Sequence, residues 1–287
     1  EMKRVPGLEA AIAVLDLLHQ RTEPGDGLGV SELARRLRLS KGTIHAVAQT
    51  LTRHGYLVQG GNTRKYQLGP RLVTLGDTSR DRNHFLSVAK RYASELVAAT
   101  GQCCLLVTVL PDVGFLVVEK QLSTRRIRLD VETGQVFPLT APAIGKCYLS
   151  TLDDASVRRL LRRHRPRPFT DQSIVDVRAY VDAVREVRAR GYGLSVGEYF
   201  PWISAVAAPI YDERGAVALI LALFGVSSEL TADALAGYGR RVVSVAEAIM
   251  RDIGGRRLEP RAVEHGVGAP RGEMRSMTGA KEANGVA

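Results

Sequence analysis

Leu28–Leu68 reads LGVSELARRLRLSKGTIHAVAQTLTRHGYLVQGGNTRKYQL, and the reading of this stretch decides the fold. It predicts a helix, a tight turn, a second helix and a hairpin. Ser31 is expected to cap the helix Glu32–Leu37, since a hydroxyl accepts from the amides that a first turn leaves unpaired, and Leu33, Ala34 and Leu37 form its buried side. Arg38 and Leu39 make the turn. Ser40 then caps a second helix that runs to about His54 and stops at Gly55, a residue type suited to the left-handed conformation after a helix end. Tyr56–Gln59 and Arg64–Leu68 are strand-forming runs around Gly60-Gly61-Asn62-Thr63, which completes the outline of a winged helix-turn-helix.

On the second helix Ile44, Val47, Ala48 and Leu51 form one apolar stripe that packs inward. The opposite face carries Gly42, Ala46, Gln49, Thr50 and Arg53, flanked by Lys41, Thr43 and His45. Small residues allow close approach to a groove floor. Gln pairs with adenine, Arg with guanine or phosphate, and Ala or Thr methyls with thymine. Arg64 and Lys65 in the wing are placed to meet phosphates beside that groove. With Ser31 and Ser40 these residues make up the candidate DNA-contacting set; the competing reading is a polar, solvated helix face.

Ser31-Glu32-Leu33-Ala34-Arg35, Lys41-Gly42-Thr43-Ile44-His45, Leu51–Tyr56 and Tyr66-Gln67-Leu68-Gly69 resemble, in order, the DNA-binding signatures of the IclR-type bacterial transcriptional regulators. The resemblance continues through Phe137-Pro138-Leu139-Thr140-Ala141, Gly145-Lys146 and Ala207-Ala208-Pro209. It implies a DNA-binding regulator with a GAF-like effector-binding domain, assembled as homodimers or pairs of dimers.

Working outward, 287 residues suffice for two domains with their own cores, and 45% hydrophobic with 24% charged is ordinary for a soluble chain. The net charge is +10; residues 1–80 hold 12 Lys and Arg against 7 Asp and Glu, an excess of 12 − 7 = 5 that favours a polyanionic partner. No apolar run approaches the roughly 20 residues of a membrane span, and no secretory signal pattern opens the chain, so a cytoplasmic protein is expected. Cys103, Cys104 and Cys147 fit a reducing compartment. On a strand, Cys103 and Cys104 would point to opposite faces; a vicinal redox sensor is the alternative.

Leu8, Ala11, Ile12, Leu15 and Leu18 keep helical spacing and are expected to close the core of the winged helix. Gly69-Pro70 opens a linker helix with a narrow stripe of Leu72, Val73 and Leu75, and a long helix His84–Thr100 ends at Gly101. Beyond it, strands are expected at Cys103–Leu110, Phe115–Lys120, Ile127–Val131, Tyr192–Val196, Ile203–Tyr211 and Ala216–Phe224. Helices are expected at Ala143–Ser150, Asp154–Arg163, Asp176–Arg190 and Ala232–Asp252. This order argues an α+β chain built on an antiparallel sheet. The predicted division is a winged helix over 1–69, a linker helix over 70–83, an effector-binding and oligomerisation domain over 84–253, and a disordered tail over 254–287.

Gly193-Leu194-Ser195-Val196-Gly197 matches the G-x-S-x-G elbow of serine hydrolases, but Glu198-Tyr199-Phe200-Pro201 follows where an elbow needs a helix. No metal, nucleotide or other cofactor motif is present, so no cofactor and no enzymatic activity are expected. The arginine run Arg158, Arg159, Arg162, Arg163, Arg165 and Arg167 reads as a second anion site or as a solvated helix face.

The resemblance also implies a small-molecule effector pocket. Where the family commonly has an acid, a cysteine and small hydroxyl residues, this chain has Ser195, Ala205, Ala222 and Phe224. The amide-bearing segment is Ala141-Pro142-Ala143-Ile144-Gly145, and Trp202 stands where the family usually has glycine. The implied lining is Arg128, Phe137, Thr140, Ala143, Ile144, Gly145, Ser195, Tyr199, Trp202, Ile203, Ala205, Ala222 and Phe224. Loss of polar anchors points to an apolar or aromatic effector oriented by few polar groups, such as Ser195, Thr140 and Arg128. Two rivals stand beside it: Phe224 and Trp202 fill the space, or the second domain only oligomerises a ligand-independent DNA-binding protein.

Overall fold

The computed structural model describes residues 5–19, 27–61, 63–82, 84–123 and 131–258. Helices α1 (Pro6–His19), α2 (Val30–Leu37) and α3 (Lys41–Arg53) enclose a core of Val14, Leu18, Leu28, Leu33, Ala34, Ile44, Ala48, Leu57 and Tyr66. Ser40 caps α3 as its position predicts, its hydroxyl accepting from the Thr43 amide at 3.0 Å. Ser31 does not cap α2. That helix starts two residues earlier, Gly29 is the extended N-cap, and its carbonyl accepts from Leu33 at 3.0 Å; this leaves Ser31 exposed in the first turn.

The buried face of α1 is also displaced from the expected one. Ala10, Val14 and Leu18 are buried, whereas Leu8 and Ile12 are 59% and 49% exposed. With apolar residues around more than half its girth, this helix has no buried face that spacing alone selects; contact with α2, α3 and β2 selects one. The wing is β1 (Leu57–Gln59) against β2 (Tyr66–Leu68), with Leu28 bridging to Tyr66 as a third edge. Its return strand begins later than expected. Arg64 adopts φ 51°, in the left-handed region, so Arg64 and Lys65 belong to the turn, where Gln59 Nε2 donates to the Arg64 carbonyl at 3.1 Å.

After the wing come α4 (Arg71–Arg82) and α5 (His84–Thr100), and then a six-stranded sheet in which every neighbouring pair is antiparallel. The strands are β3 (Cys103–Leu110), β4 (Gly114–Gln121), β5 (Val136–Pro138), β6 (Gly193–Val196), β7 (Ile203–Tyr211) and β8 (Val217–Val226), in the order β5-β4-β3-β8-β7-β6. Strand β5 was not expected. The expected strand Ile127–Val131 lies outside the described residues except for Val131, and residues 259–287 of the expected tail also lie outside them.

Helices cover both sheet faces, which is why β8 reads as an unbroken apolar run rather than an alternating one. Leu219, Leu221 and Leu223 pack under α5 and α9 (Ala232–Ile253). Ile220, Ala222 and Phe224 face the layer of α6 (Pro142–Leu149), α7 (Asp154–Arg163) and α8 (Val177–Arg190). Cys103 belongs to the second layer and Cys104 to the first, as strand alternation requires. Burial pushes the Cys104 thiol well above its ordinary range, which leaves it little thiolate character for redox sensing. Arg162 and Arg163 lie exposed on α7, Arg163 paired with Asp112 at 3.2 Å. Among the described residues no helix is long and apolar enough to cross a membrane.

Candidate functional site

Helix α3 presents Lys41, Gly42, Thr43, His45, Ala46, Gln49, Thr50 and Arg53 on one exposed surface, while Ile44 and Ala48 are fully buried. The hydroxyl of Thr50 donates to the Ala46 carbonyl at 2.9 Å, which turns its methyl outward and removes a competing donor from the face. Lys41, Arg53 and Arg64 have no acidic partner among the described residues. Arg64 is exposed at the wing tip and Lys65 is half-buried beside it. The surface is therefore a helix with a flat, small-residue centre, cations at its ends, and a cationic hairpin tip.

The second feature is a cavity of about 270 Å³ on the sheet face under α6. One rung of the sheet runs Ser195, Ala205, Phe224 across β6, β7 and β8, and two residues along, Ala222 and Leu105 form its neighbour. All five line the cavity. Ile203, Val131 and Phe137 add to the wall, the first turn of α6 supplies Ala141, Pro142, Ala143 and Ile144, and Tyr199, Phe200 and Trp202 stand at the loop side. Of the expected lining residues, Thr140 and Gly145 lie behind the wall rather than on it. Gly145 sits where an added Cβ would come 2.4 Å from the Leu139 carbonyl, so its smallness serves packing. Arg128 lies outside the described residues.

The aromatic residues do not fill the space. Phe200 and Trp202 stack at 5.9 Å and are 48% and 58% exposed, and Tyr199 leans away onto Phe169 and Phe137 at 4.5 and 5.6 Å. The rival reading of a pocket filled by Phe224 and Trp202 does not hold: the loop 197–202 places Phe200 and Trp202 at the rim, and a cavity remains beside Phe224. That loop is held at its start. Thr170 Oγ1 donates to the Gly197 carbonyl at 2.7 Å, Ser173 Oγ to the Glu198 carbonyl at 2.8 Å, and Lys146 Nζ to Glu198 Oε1 at 2.6 Å, with both members of this ion pair buried. Burial holds the Lys146 ammonium below the usual lysine range despite the raising effect of Glu198.

Polar groups in the cavity are few and unpaired. Ala141 offers α6 no capping side chain and Pro142 has no N–H, so the first-turn amides of Ala143 and Ile144 donate to no acceptor among the described residues. The Ser195 hydroxyl is likewise without a hydrogen bond there. Ser195 lies within a strand that turns back into β7, with no helix after it, which is not the geometry of a nucleophile elbow. Among the described residues no group of three or more His, Cys, Asp or Glu could hold a metal ion. Sequence reasoning passed over Val131 and Leu105. Leu105 shares a face with Cys103 two residues before it, a signal that alternation along β3 does carry; Val131 closes the alternating run Ile127, Leu129, Val131, a pattern that marks a strand but not the cavity its end borders.

Comparison with known proteins bears on both surfaces. The model of the IclR helix-turn-helix domain matches residues 7–61, and that of the bacterial transcriptional regulator IclR C-terminal domain matches residues 78–251. The glycerol operon regulatory protein of Streptomyces coelicolor is 32% identical over 262 residues, covering 89% of this chain and 99% of the relative. The crystal structure of an IclR transcriptional regulator from Alicyclobacillus acidocaldarius superposes with a TM-score of 0.75 at 30% identity, over 88% of this chain and 98% of that one. An IclR homologue from Microbacterium hydrocarbonoxydans complexed with 4-hydroxybenzoate shares the fold, with a TM-score of 0.71 at 19% identity over 86% and 99% of the two chains. The winged helix, the helix-covered antiparallel sheet and these matches along nearly the whole described length lead to one conclusion: the chain belongs to the IclR family of bacterial transcriptional regulators, which bind DNA through the N-terminal domain and a ligand through the C-terminal one.

Proposed function

We propose that this regulator, working in the cytoplasm and without catalytic activity of its own, senses a planar, largely apolar compound with one polar end, and that the α3 and wing residues named above contact its operator. The division at residues 69, 83 and 253 into winged helix, linker and effector domain belongs to this reading; separate cores on either side of α4 support it. The observation that carries the ligand class is the cavity itself. Its walls are Leu, Val, Ile, Ala and aromatic side chains, and its polar groups gather in one corner, where β6 passes beside the first turn of α6. A helix start with open amides suits a carboxylate or a phenolic oxygen, and Ser195 supplies one more hydrogen bond. An apolar cavity of roughly 150 Å³ already accommodates a benzene ring, so about 270 Å³ suits a single substituted ring.

Short keto acids fit this site poorly. The few donors that hold one carboxylate leave the carbonyl oxygen of such an acid against the apolar wall, where an unmet acceptor costs roughly 1–3 kcal/mol. Calorimetry with glyoxylate, pyruvate, benzoate and 4-hydroxybenzoate tests the reading. Binding of the aromatic acids, weakened by Trp202→Ala, is the expected result; glyoxylate or pyruvate binding more tightly than either aromatic acid overturns it.

Assembly follows from side chains left without cover. Leu72 is half-buried, Val73 and Leu75 are 65% and 43% exposed on α4, and the Leu8 and Ile12 strip of α1 also faces outward. We place Leu72 and Leu75 between the winged helices of two subunits. Operators are then near-palindromic, with half-sites about 34 Å apart or a multiple of it. Footprinting that shows one asymmetric half-site protected by a monomer excludes this arrangement.

A further inference from the structure

A contact among the described residues joins the cavity wall to the DNA-binding half of the chain. Val131 and Phe137 both line the cavity, and the turn between them reaches back to the end of α1. There His19 Nε2 donates to the Thr133 carbonyl at 3.2 Å. The imidazole lies so close to the turn that a Cβ built on Gly134 would sit 2.1 Å from Nε2, and Gly134 itself takes φ 89°. Only glycine allows both the backbone conformation and the ring's approach. The turn is not a loose loop. Gly134 donates to the Val117 carbonyl at 2.8 Å, Val117 donates back to Gln135 at 2.9 Å, and Gln135 donates to Glu132 at 3.1 Å. A rigid turn bonded to β4, with a cavity residue at each end, moves as a unit when either end is displaced.

We propose that this turn carries the state of the cavity to the winged helix, with His19 as the positioning residue that receives it. The proposal rests on the reading of the cavity as the effector site. Occupancy that pushes Val131 or Phe137 outward shifts Thr133 and Gly134 against the imidazole. Helix α1 packs on α2 and α3, so a shift at His19 changes the attitude of the recognition helix. The two positions of the turn relative to His19 are the two arrangements that a ligand must distinguish for binding to be coupled to DNA affinity. His19 is exposed and the core of its domain is made by other residues, so His19→Ala removes the contact without opening that core.

A double-mutant cycle on the full chain tests this without a known effector. The cavity is plugged by Ala222→Phe and, separately, by Ala205→Leu, each alone and combined with His19→Ala. Affinity is measured for a duplex that the wild-type chain selects from a random pool. The expected result is a change of about fivefold or more from a plug in the wild-type background and less than about twofold in the His19→Ala background. An equal change in both backgrounds, or none in the wild type, overturns the proposal. The cycle is read beside the calorimetric panel of aromatic acids. Coupling by the plugs with no ligand bound sinks the effector reading and leaves the turn's role standing; ligand binding with a flat cycle does the reverse.

Discussion

Glu198→Ala is expected to destabilise the effector domain by about 3–5 kcal/mol, because it strands the Lys146 ammonium in a site where its side chain is only 4% exposed. Loss of the carboxylate removes the hydrogen-bonded partner that does most to offset the cost of burying that charge, and it frees the loop carrying Tyr199, Phe200 and Trp202. The double variant Lys146→Met, Glu198→Leu is expected to recover most of the loss, since replacing both members of a buried pair by apolar residues of similar size is often neutral. The chain has one tryptophan, Trp202, so denaturation followed by its fluorescence reports on this domain. A single-variant loss below about 1 kcal/mol would show that the pair does not hold the loop.

The pH dependence of the same variant has a definite sign. The folded-state pKa of Lys146 is lowered by burial, so between that value and its ordinary 10.5 the unfolded chain binds more protons than the folded one. Stability from this group therefore rises as pH rises through that window. Removing Glu198 removes a raising influence and widens the window downward, so Glu198→Ala begins to regain stability at lower pH than the wild type and gains it over a wider range. A flat difference between the two across that range contradicts the assignment.

Arg64→Ala with Lys65→Ala is expected to weaken binding to every DNA sequence and to reduce the slope of log affinity against log salt by about 2, one unit for each phosphate contact removed. With both side chains meeting phosphate alone, preference among operators is expected to survive. Gln49→Ala is the complementary case. It lies exposed on α3 beside Ala46 and Arg53, and its loss is expected to relax preference at particular base pairs by about 1–3 kcal/mol with little effect on the salt slope. Titrations at two salt concentrations on matched and mismatched duplexes separate the two. A wing double variant that keeps the wild-type slope does not touch phosphate.

The sequence alone determined the elements whose signals are local. Ser40 followed by the Ile44, Val47, Ala48 and Leu51 stripe and then Gly55 specifies α3 from cap to stop, because a cap, a period and a left-handed terminator all act within a few residues. The alternation along Cys103–Leu110 and the double-sided apolar run of β8 are local in the same sense. The cavity residues Ser195, Ala205, Ala222 and Phe224 were reached from the sequence by family resemblance, and the sheet register explains why such scattered positions share one wall.

Only the tertiary structure decided which of two apolar faces α1 buries, because both have helical spacing and the choice belongs to the helices it meets. It decided that Gly29 rather than Ser31 caps α2, a difference of two residues that depends on how the chain enters from Leu28 on the wing. It also decided that the cavity is open. Whether Phe224 and Trp202 fill a space or border it depends on the loop 197–202, and that loop is fixed by Lys146, Thr170 and Ser173, which lie 29 to 56 positions before Trp202 and are partners that no local pattern announces. Contacts between residues distant in sequence are set by packing, and packing is what a single chain of letters leaves unwritten.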